Sequence, residues 1–333
     1  MDFDAQSIAD KMWDIVKDGN CIAWVGAGLS EGAGYKSWEE AIVELSRRCL
    51  SETLKLEDIS KLSAEMLMVK AEDCLRANDL LYKSTLAELY GNLDTQARRG
   101  YELLVKLPFR AIFTTNFDPI LADICKRECN VDCCAYPNLR VEDFIKQPKK
   151  TPFYLHGIAT DEDFNPNGED LVFCKSEFAK AYGLISFLPS FLQQTLPSYP
   201  ILFIGSGLQE VALQAVLKNT HQMLTQHNVI PPKRIMLLNT PKIIVDPIPN
   251  FEIPTSIRDK FNSAQQREGI NNAQKEKEQQ RLEALHIDVE WYTPCGSSHN
   301  EVDKVIEAMC KLAGVWKKPR IRFSLQEDSR IDN

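Results

Sequence analysis

The segment that decides the fold reads CIAWVGAGLS and runs from Cys21 to Ser30. Its first half is apolar and predicts a short buried strand. Gly26 and Gly28 follow the strand directly, with Ala27 between them. Glycine lets the backbone approach a phosphate, and the first N–H groups of a following helix favour an anion. The segment therefore predicts a strand, turn and helix that bind a nucleotide phosphate, although such a loop alone also fits a tight turn without a ligand.

The glycine loop does not have the spacing of a hydride-transfer enzyme. The dinucleotide fingerprint of dehydrogenases needs a third glycine where this sequence has Glu31. It also needs an acidic residue at the end of a second strand about 20 residues further on, which is missing. The sequence therefore disfavours a dehydrogenase.

Apolar runs of strand length recur along the whole chain. They are Cys21 to Val25, Ala111 to Thr115, Phe153 to Leu155, Ile201 to Ile204, Arg234 to Leu238 and Val289 to Tyr292. All but the last lead into a turn and then into helical or polar sequence, which is typical of parallel strands covered on both faces. We predict an α/β fold with a Rossmann-like, doubly wound, mostly parallel sheet.

Helical periodicity fills the intervals between these runs. Residues 51–107 contain helix-period stretches and predict a helical insertion beside the sheet. Residues 176–196 predict a second helical stretch whose apolar side roofs a pocket. A polar segment at about 256–285 predicts a solvated helix or an oligomer contact. We expect one domain over 1–315 and a flexible tail over 316–333.

Composition restricts the class of protein. The 333 residues carry 39 basic and 47 acidic side chains, a formal net charge of −8 that disfavours binding to nucleic acid or to an anionic membrane. The N-terminal segment lacks the order of a secretion signal, and no apolar run approaches the roughly 20 residues of a membrane span. We therefore expect a cytoplasmic enzyme without a membrane partner, whose ten cysteines are free thiols.

Polar side chains terminate the strand that ends near Thr115. Asn116 and Asp118 follow directly, and in open α/β sheets ligands bind at the carboxyl ends of the strands. Asn116 is a candidate to position a water or a ribose hydroxyl, and Asp118 is a candidate to bind ribose or the nicotinamide side. Both residues also suit the cap of a helix, and Pro119 at a first helical position favours that role for Asp118.

Two further strand ends carry candidate functional groups. His156 ends the strand Phe153 to Leu155, and histidine suits general-base chemistry near neutral pH. Gly205, Ser206 and Gly207 end the strand Ile201 to Ile204 with a flexible loop that carries a hydroxyl. Both ends are expected at the edge of the sheet that holds the first glycine loop.

In this order the motifs resemble the sirtuin family over roughly residues 10–315. The motifs that match are Gly26 to Ser30, Thr115 to Asp118, His156-Gly157, Gly205 to Leu208, and Asn239 after the strand Arg234 to Leu238. The resemblance implies that NAD+ is bound as a substrate. It assigns catalysis to Asn116 and His156. It assigns NAD+ contacts to Gly26, Ala27, Gly28, Ser30, Thr115, Asp118, Gly205, Ser206, Gly207 and Asn239.

Two departures from the family pattern bear on activity. Protein-deacylating sirtuins carry two Cys-x-x-Cys pairs for zinc between the His-Gly motif and the later glycine loop, where this chain has only Cys174. The set Cys125, Cys129, Cys133 and Cys134 precedes His156 and has helical spacing, so we expect no zinc or other metal. Phe117 stands where deacylases usually have isoleucine, which resembles bacterial sirtuin-like domains.

Those bacterial domains resemble NAD+-depleting effectors of antiphage defence that act by abortive infection. The resemblance implies an NAD+ hydrolase that releases nicotinamide and ADP-ribose, works as a homo-oligomer, and pairs with a defence protein such as a DNA-translocating ATPase or an Argonaute. Two alternatives stay open: an NAD-dependent protein deacylase or ADP-ribosyltransferase, and a sensor that binds NAD or ADP-ribose without catalysis.

Overall fold

The computed structural model describes residues 4–91, 99–159, 171–183, 186–240, 264–293 and 300–315. The strands are β1 (Ile22–Val25), β2 (Ala111–Thr114), β3 (Cys134–Ala135), β4 (Thr151–Tyr154), β5 (Ile201–Ile204), β6 (Arg234–Asn239) and β7 (Asp288–Tyr292). The helices before β2 are α1 (Ala5–Val16), α2 (Ala27–Glu31), α3 (Trp38–Cys49), α4 (Leu56–Ile59), α5 (Ala64–Ala77), α6 (Asp79–Tyr90) and α7 (Arg99–Leu104). The later helices are α8 (Ile120–Cys129), α9 (Val141–Lys146), α10 (Lys175–Tyr182), α11 (Phe187–Thr195), α12 (Val211–Gln226), α13 (Ala264–Glu283) and α14 (Asn300–Leu312), with a short 3₁₀ turn at Leu196–Ser198.

The seven strands form one sheet in the order β3-β4-β2-β1-β5-β6-β7, and the neighbouring strands all run parallel. β1 lies at the centre, and its residue Ile22 aligns with Ala111 of β2 on one side and with Ile201 of β5 on the other. The chain first builds the sheet to one side of β1 and then crosses to the other side. The predicted Rossmann-like, doubly wound α/β fold is therefore confirmed, and its topological switch point lies between β1 and β5.

The two faces of the sheet bury separate cores. Along β1, Ala23 and Val25 face one core, while Ile22 and Trp24 face the other. This alternation explains why β1 is apolar at every position, since both faces are covered by helices. Trp24 fills the centre of the second core, and its ring packs at centroid distances of 5.9 Å from Phe113 and 5.6 Å from Phe203.

The predicted helical insertion is present as α4 to α7. The helices α4, α5 and α6 pack beside α3, which begins at a capping box made by Ser37 and Glu40. Ser37 accepts a hydrogen bond from the backbone of Glu40, and the Glu40 side chain accepts one from the backbone of Ser37. The last helix of the insertion, α7, packs against α14 and α8.

Several local predictions need correction. The two-residue strand β3 was not predicted. The four clustered cysteines do not share one helix despite their helical spacing, because α8 ends at Cys129 and Cys133 and Cys134 follow it. The polar helix α13 begins at Ala264 in the part of the chain that the structure describes, and the first residues of the predicted 256–285 segment lie outside that part.

Other predictions concern residues of which the structure describes only some. The nine cysteines in the described ranges are free thiols, as predicted. Within the same ranges, no helix combines the length and the apolar character needed to cross a membrane. The domain limits 1 and 315 stay a prediction, and the predicted tail, 316–333, lies outside the described residues.

Candidate active site

Two glycine loops meet above the switch point between β1 and β5. The Gly26 amide donates to the carbonyl of Ile204 at 3.0 Å, and the Gly28 amide donates to the carbonyl of Gly205 at 2.9 Å. A Cβ on Gly26 would lie 2.5 Å from the Cα of Ser206, closer than folded proteins allow. Gly205 has a φ of +66°, a conformation that side chains disfavour. Glycine is required here because two backbones touch.

A cavity of about 380 Å³ opens over this junction. All the predicted site residues line it: Gly26, Ala27, Gly28, Ser30, Thr115, Asn116, Asp118, His156, Gly205, Ser206, Gly207 and Asn239. The ends of β1, β2, β4, β5 and β6 therefore meet at one edge of the sheet, as expected for a doubly wound fold. Phe178 of α10 also lines the cavity, so the second helical stretch contributes to its wall.

Asn116 is the most constrained polar side chain of the cavity. Its amide nitrogen donates to the carbonyl of Gly26 at 3.2 Å, to Ser30 Oγ at 2.8 Å, and lies 3.2 Å from Tyr101 Oη. A carbonyl oxygen can only accept, so the contact with Gly26 fixes which end of the amide is nitrogen. Asn116 Oδ1 accepts no hydrogen bond from another described residue, and it is thus available to a ligand.

Asp118 and Tyr101 complete a buried network around Ser30. The Ser30 hydroxyl donates to Asp118 Oδ2 at 2.6 Å and lies 2.8 Å from Tyr101 Oη. Asp118 Oδ1 accepts from the amide of Ile120 at 3.3 Å, which is the predicted capping role, although Pro119 rather than Asp118 occupies the N-cap position of α8. Burial raises the pKa of Asp118 to about 6, despite these two hydrogen bonds.

His156 lies at the end of β4, buried among aromatic rings. Its ring makes an edge contact with Phe178 at a centroid distance of 5.2 Å, and His156 Nε2 lies 2.8 Å from Tyr182 Oη. Burial lowers the pKa of His156 to about 3, so the imidazole is neutral at pH 7. A neutral imidazole has one nitrogen that can accept a proton. The hydrogen bond to Tyr182 influences whether that nitrogen is Nδ1 or Nε2.

Removing the Tyr182 hydroxyl is expected to lower the free energy of unfolding. Tyr182→Phe keeps the ring stacked on Phe178 but leaves His156 Nε2 buried without its partner, which costs about 1–2 kcal/mol. Urea unfolding measures the difference. The matched control is Tyr199→Phe, because the Tyr199 hydroxyl makes no hydrogen bond to another described residue and its loss should cost less than about 0.5 kcal/mol. Equal stability of both variants would contradict the prediction.

The helix that carries Tyr182 is fixed to the helical insertion by two carboxylates. Glu177 accepts hydrogen bonds from the amide of Cys174 at 2.8 Å and from Tyr82 of α6 at 3.2 Å. Glu72 of α5 accepts from the amide of Ser176 at 2.9 Å. Burial alone would raise the pKa of Glu72, but its hydrogen bonds outweigh burial and lower it to about 2. The insertion thus sets where α10 begins.

Arg281 of α13 holds the second glycine loop from outside the cavity. Its guanidinium donates to the carbonyl of Gly207 at 2.7 Å and to that of Leu208 at 2.8 Å. Leu208 has a φ of +45°, so the loop adopts a conformation that most side chains disfavour. Glu278 in turn binds the guanidinium at 2.9 Å.

Several of these residues could not be predicted from the sequence. Tyr101, Tyr182 and Arg281 lie on helices outside the motifs that they contact, at separations of 15 residues from Asn116, 26 from His156 and 73 from Leu208. Their neighbourhood in sequence resembles that of any amphipathic helix. Further polar residues that were not predicted also line the cavity: Glu31, Lys36, Glu39, Gln209 and Glu210.

The lining of the cavity fits a nucleotide. Among the residues that the structure describes, no group of three or more metal-binding side chains occurs, and the absence of a metal stays a prediction. The two glycine loops line the cavity with backbone, to which a phosphate or a ribose can lie close. Asn116 Oδ1 adds an acceptor for a hydroxyl, and His156 adds a neutral imidazole.

The family comparison agrees with this geometry. The family model described as a SIR2-like domain matches residues 110–289, which is 180 of the 333 residues and more than half of the chain. The chain therefore belongs to the SIR2-like family. Proteins of this family are NAD-dependent, so the function of the chain is related to NAD+. A comparison with curated protein sequences gave no match.

Proposed function

We propose that this protein hydrolyses NAD+ to nicotinamide and ADP-ribose. The observation that carries the proposal is the orientation of Asn116. Its amide nitrogen is held by Gly26 and Ser30, and its free oxygen shares one cavity with His156 and both glycine loops. That oxygen is suited to position a water or a ribose hydroxyl next to a histidine that can accept a proton.

The chemistry demands little from the protein beyond positioning and charge. When the bond between nicotinamide and C1′ of the ribose breaks, its electron pair stays on the ring nitrogen and neutral nicotinamide leaves. The ribose passes through an oxocarbenium-like state, as in glycoside hydrolysis, without acid assistance to the leaving group. The oxygen of a water then bonds to C1′, and its proton goes to His156 or to solvent. The two glycine loops hold the ribose and the pyrophosphate.

Hydrolysis is favoured over protein deacylation by the interval between Gly157 and Gly205. In deacylating sirtuins this interval contains the zinc module, and here it holds Cys174 as its one cysteine. The Sγ of Cys174 is buried and donates to Glu72 at 3.2 Å. That cysteine therefore serves the contact between α5 and α10. An NAD-dependent deacylase or ADP-ribosyltransferase, and a sensor without catalysis, are outcomes of the test below.

The biological role that we propose is NAD+ depletion in antiphage defence. It is supported by the resemblance of the strand end from Thr114 to Asp118 to those of bacterial sirtuin-like effectors. By the same resemblance we propose a cytoplasmic homo-oligomer that works beside a defence partner, such as a DNA-translocating ATPase or an Argonaute. The long polar helix α13 is a candidate contact surface.

The test is NAD+ consumption by the purified full chain without any acyl peptide, with the products identified by chromatography. Wild type should release nicotinamide and ADP-ribose. His156→Ala and Asn116→Ala should each lose about a thousandfold in rate, because each removes a group that contacts the reacting atoms. The control His227→Ala replaces an exposed histidine outside the cavity and should keep the wild-type rate.

Three results would contradict the proposal. Turnover that requires an acyl peptide would indicate a deacylase or a transferase. Binding of NAD+ without turnover, in the assembled oligomer, would indicate a sensor. Full activity in folded His156→Ala and Asn116→Ala would show that the chemistry takes place elsewhere.

A further inference from the structure

One carboxylate of the cavity has no role in the network described so far. Glu210 lies just before α12, in the loop after β5, and lines the same cavity as Asn116 and His156. It occupies the N-cap position of α12, yet its side chain does not cap the helix. Within the described part of the chain, this carboxylate makes no hydrogen bond to another residue and forms no ion pair. A half-buried carboxylate without a partner is costly unless a ligand supplies one.

The surroundings place Glu210 on the side of the cavity that holds the histidine. Its negative charge helps to raise the pKa of Tyr182, whose hydroxyl lies 2.8 Å from His156 Nε2. Burial raises the pKa of Glu210 itself, while the positive charge of Arg281 acts in the opposite direction. Arg281 is committed to Glu278 and to two loop carbonyls, so it does not neutralise Glu210.

The other acidic groups of the cavity differ from Glu210. Asp118 accepts hydrogen bonds from Ser30 and Ile120, one on each carboxylate oxygen, and lies within the network around Ser30. Glu31 and Glu39 belong to an acidic group with Glu40, since burial and the charges of Glu39 and Glu40 raise the pKa of Glu31. Glu210 is therefore the acidic side chain that combines a position at a strand end with an unoccupied carboxylate.

We propose that the Glu210 carboxylate faces the positively charged nicotinamide ribosyl group of the substrate and stabilises the ribosyl cation as the C1′–N bond breaks. The inference rests on the proposed function, because it names the group that complements the charge in that reaction. The carboxylate forms no bond and transfers no proton in this step. It lowers the energy of the cation that exists after the electron pair has left with nicotinamide and before water attacks.

The same charge should select the oxidised form of the dinucleotide. NAD+ carries a pyridinium charge next to C1′, whereas NADH has a neutral ring. Opposite charges a few ångströms apart in a cavity of reduced polarity change affinity by about tenfold or more. A binding measurement thus reports on Glu210 without any need for turnover.

The experiment compares wild type with Glu210→Gln, Glu210→Asp and the control Glu276→Gln, which neutralises an exposed carboxylate of α13 outside the cavity. Binding is measured by calorimetry with the carbocyclic analogue of NAD+, which keeps the pyridinium charge but is not hydrolysed, and with NADH. Hydrolysis is measured with NAD+ itself. A thermal melt of each variant verifies that it is folded.

Wild type and Glu276→Gln are expected to bind the cationic analogue about tenfold more tightly than NADH. Glu210→Gln should bind both ligands about equally and lose about a hundredfold in kcat, and Glu210→Asp should retain part of each. A folded Glu210→Gln that keeps the preference and the rate would overturn the proposal. Wild type that binds the analogue but does not hydrolyse NAD+ would refute the proposed function, and the binding comparison would still decide the role of Glu210.

Discussion

Gly26→Ala is expected to destabilise the protein by about 3 kcal/mol or more and to remove NAD+ binding. The added Cβ would meet backbone atoms, the Cα of Ser206 at 2.5 Å and the carbonyl oxygen of Gly205 at 2.6 Å. Backbone at the ends of two central strands cannot move aside as a flexible side chain would, so the overpacking cost lies at the upper end of the usual range. The clash can be relieved only if the two loops that hold the ligand move apart.

Urea unfolding and NAD+ affinity measure both effects. The matched control for stability is Gly207→Ala in the same loop system, where a Cβ would meet only Gln209 side-chain atoms, the nearest at 3.6 Å. Its free energy of unfolding should change by less than about 1 kcal/mol. A Gly26→Ala protein as stable as Gly207→Ala, with intact NAD+ affinity, would show that the loops are not locked together.

Replacing His156 is expected to change how the free energy of unfolding depends on pH. The folded protein holds His156 with a pKa of about 3, against an ordinary value of 6.5. Below pH 6.5 the unfolded chain binds a proton that the folded protein refuses until about pH 3. The free energy of unfolding therefore has its full value, as far as His156 is concerned, above pH 6.5. It decreases as the pH falls, by roughly 3 kcal/mol at pH 4.5.

The titration of Asp118 changes the free energy of unfolding in the opposite direction. Measurements on wild type alone therefore do not separate the contribution of His156. The folded pKa of Asp118 is raised to about 6, and its protonation favours the folded state as the pH falls from 6 towards 3.8. The decisive quantity is the difference between wild type and His156→Gln, measured by urea unfolding at pH 7 and at pH 4.5. Relative to wild type, the variant should gain roughly 3 kcal/mol between the two conditions.

The exposed His227→Gln gives the matched control for the loss of a histidine at the surface. A constant difference between wild type and His156→Gln at both pH values would mean that His156 titrates normally and is solvated in the folded protein.

The strand ends and glycine loops were open to prediction because their signals are local. Five apolar residues followed by Gly26 and Gly28 specify a strand and a tight loop, whatever the rest of the chain does. Parallel strands bring their carboxyl ends to one edge, so placing Asn116 and His156 in one cavity required only the fold class.

The partners of these residues were not open to prediction. Tyr101, Tyr182 and Arg281 reach the site from helices, and helix packing depends on contacts that sequence periodicity does not specify. The strand β3 was missed because two residues, Cys134 and Ala135, are too short a run to show alternation.

The floor and the wall of the cavity differ in how they are held. The floor belongs to β1, the middle strand of seven, whose amides should exchange with solvent only when the whole domain unfolds. The wall around His156 depends on α10, whose start is fixed by Glu72 and by the Glu177–Tyr82 contact. A small change in the helical insertion can therefore move the histidine while leaving the glycine loops in place. Natural sequence variation in the insertion can thus change the rate of the chemical step without changing the affinity for the nucleotide.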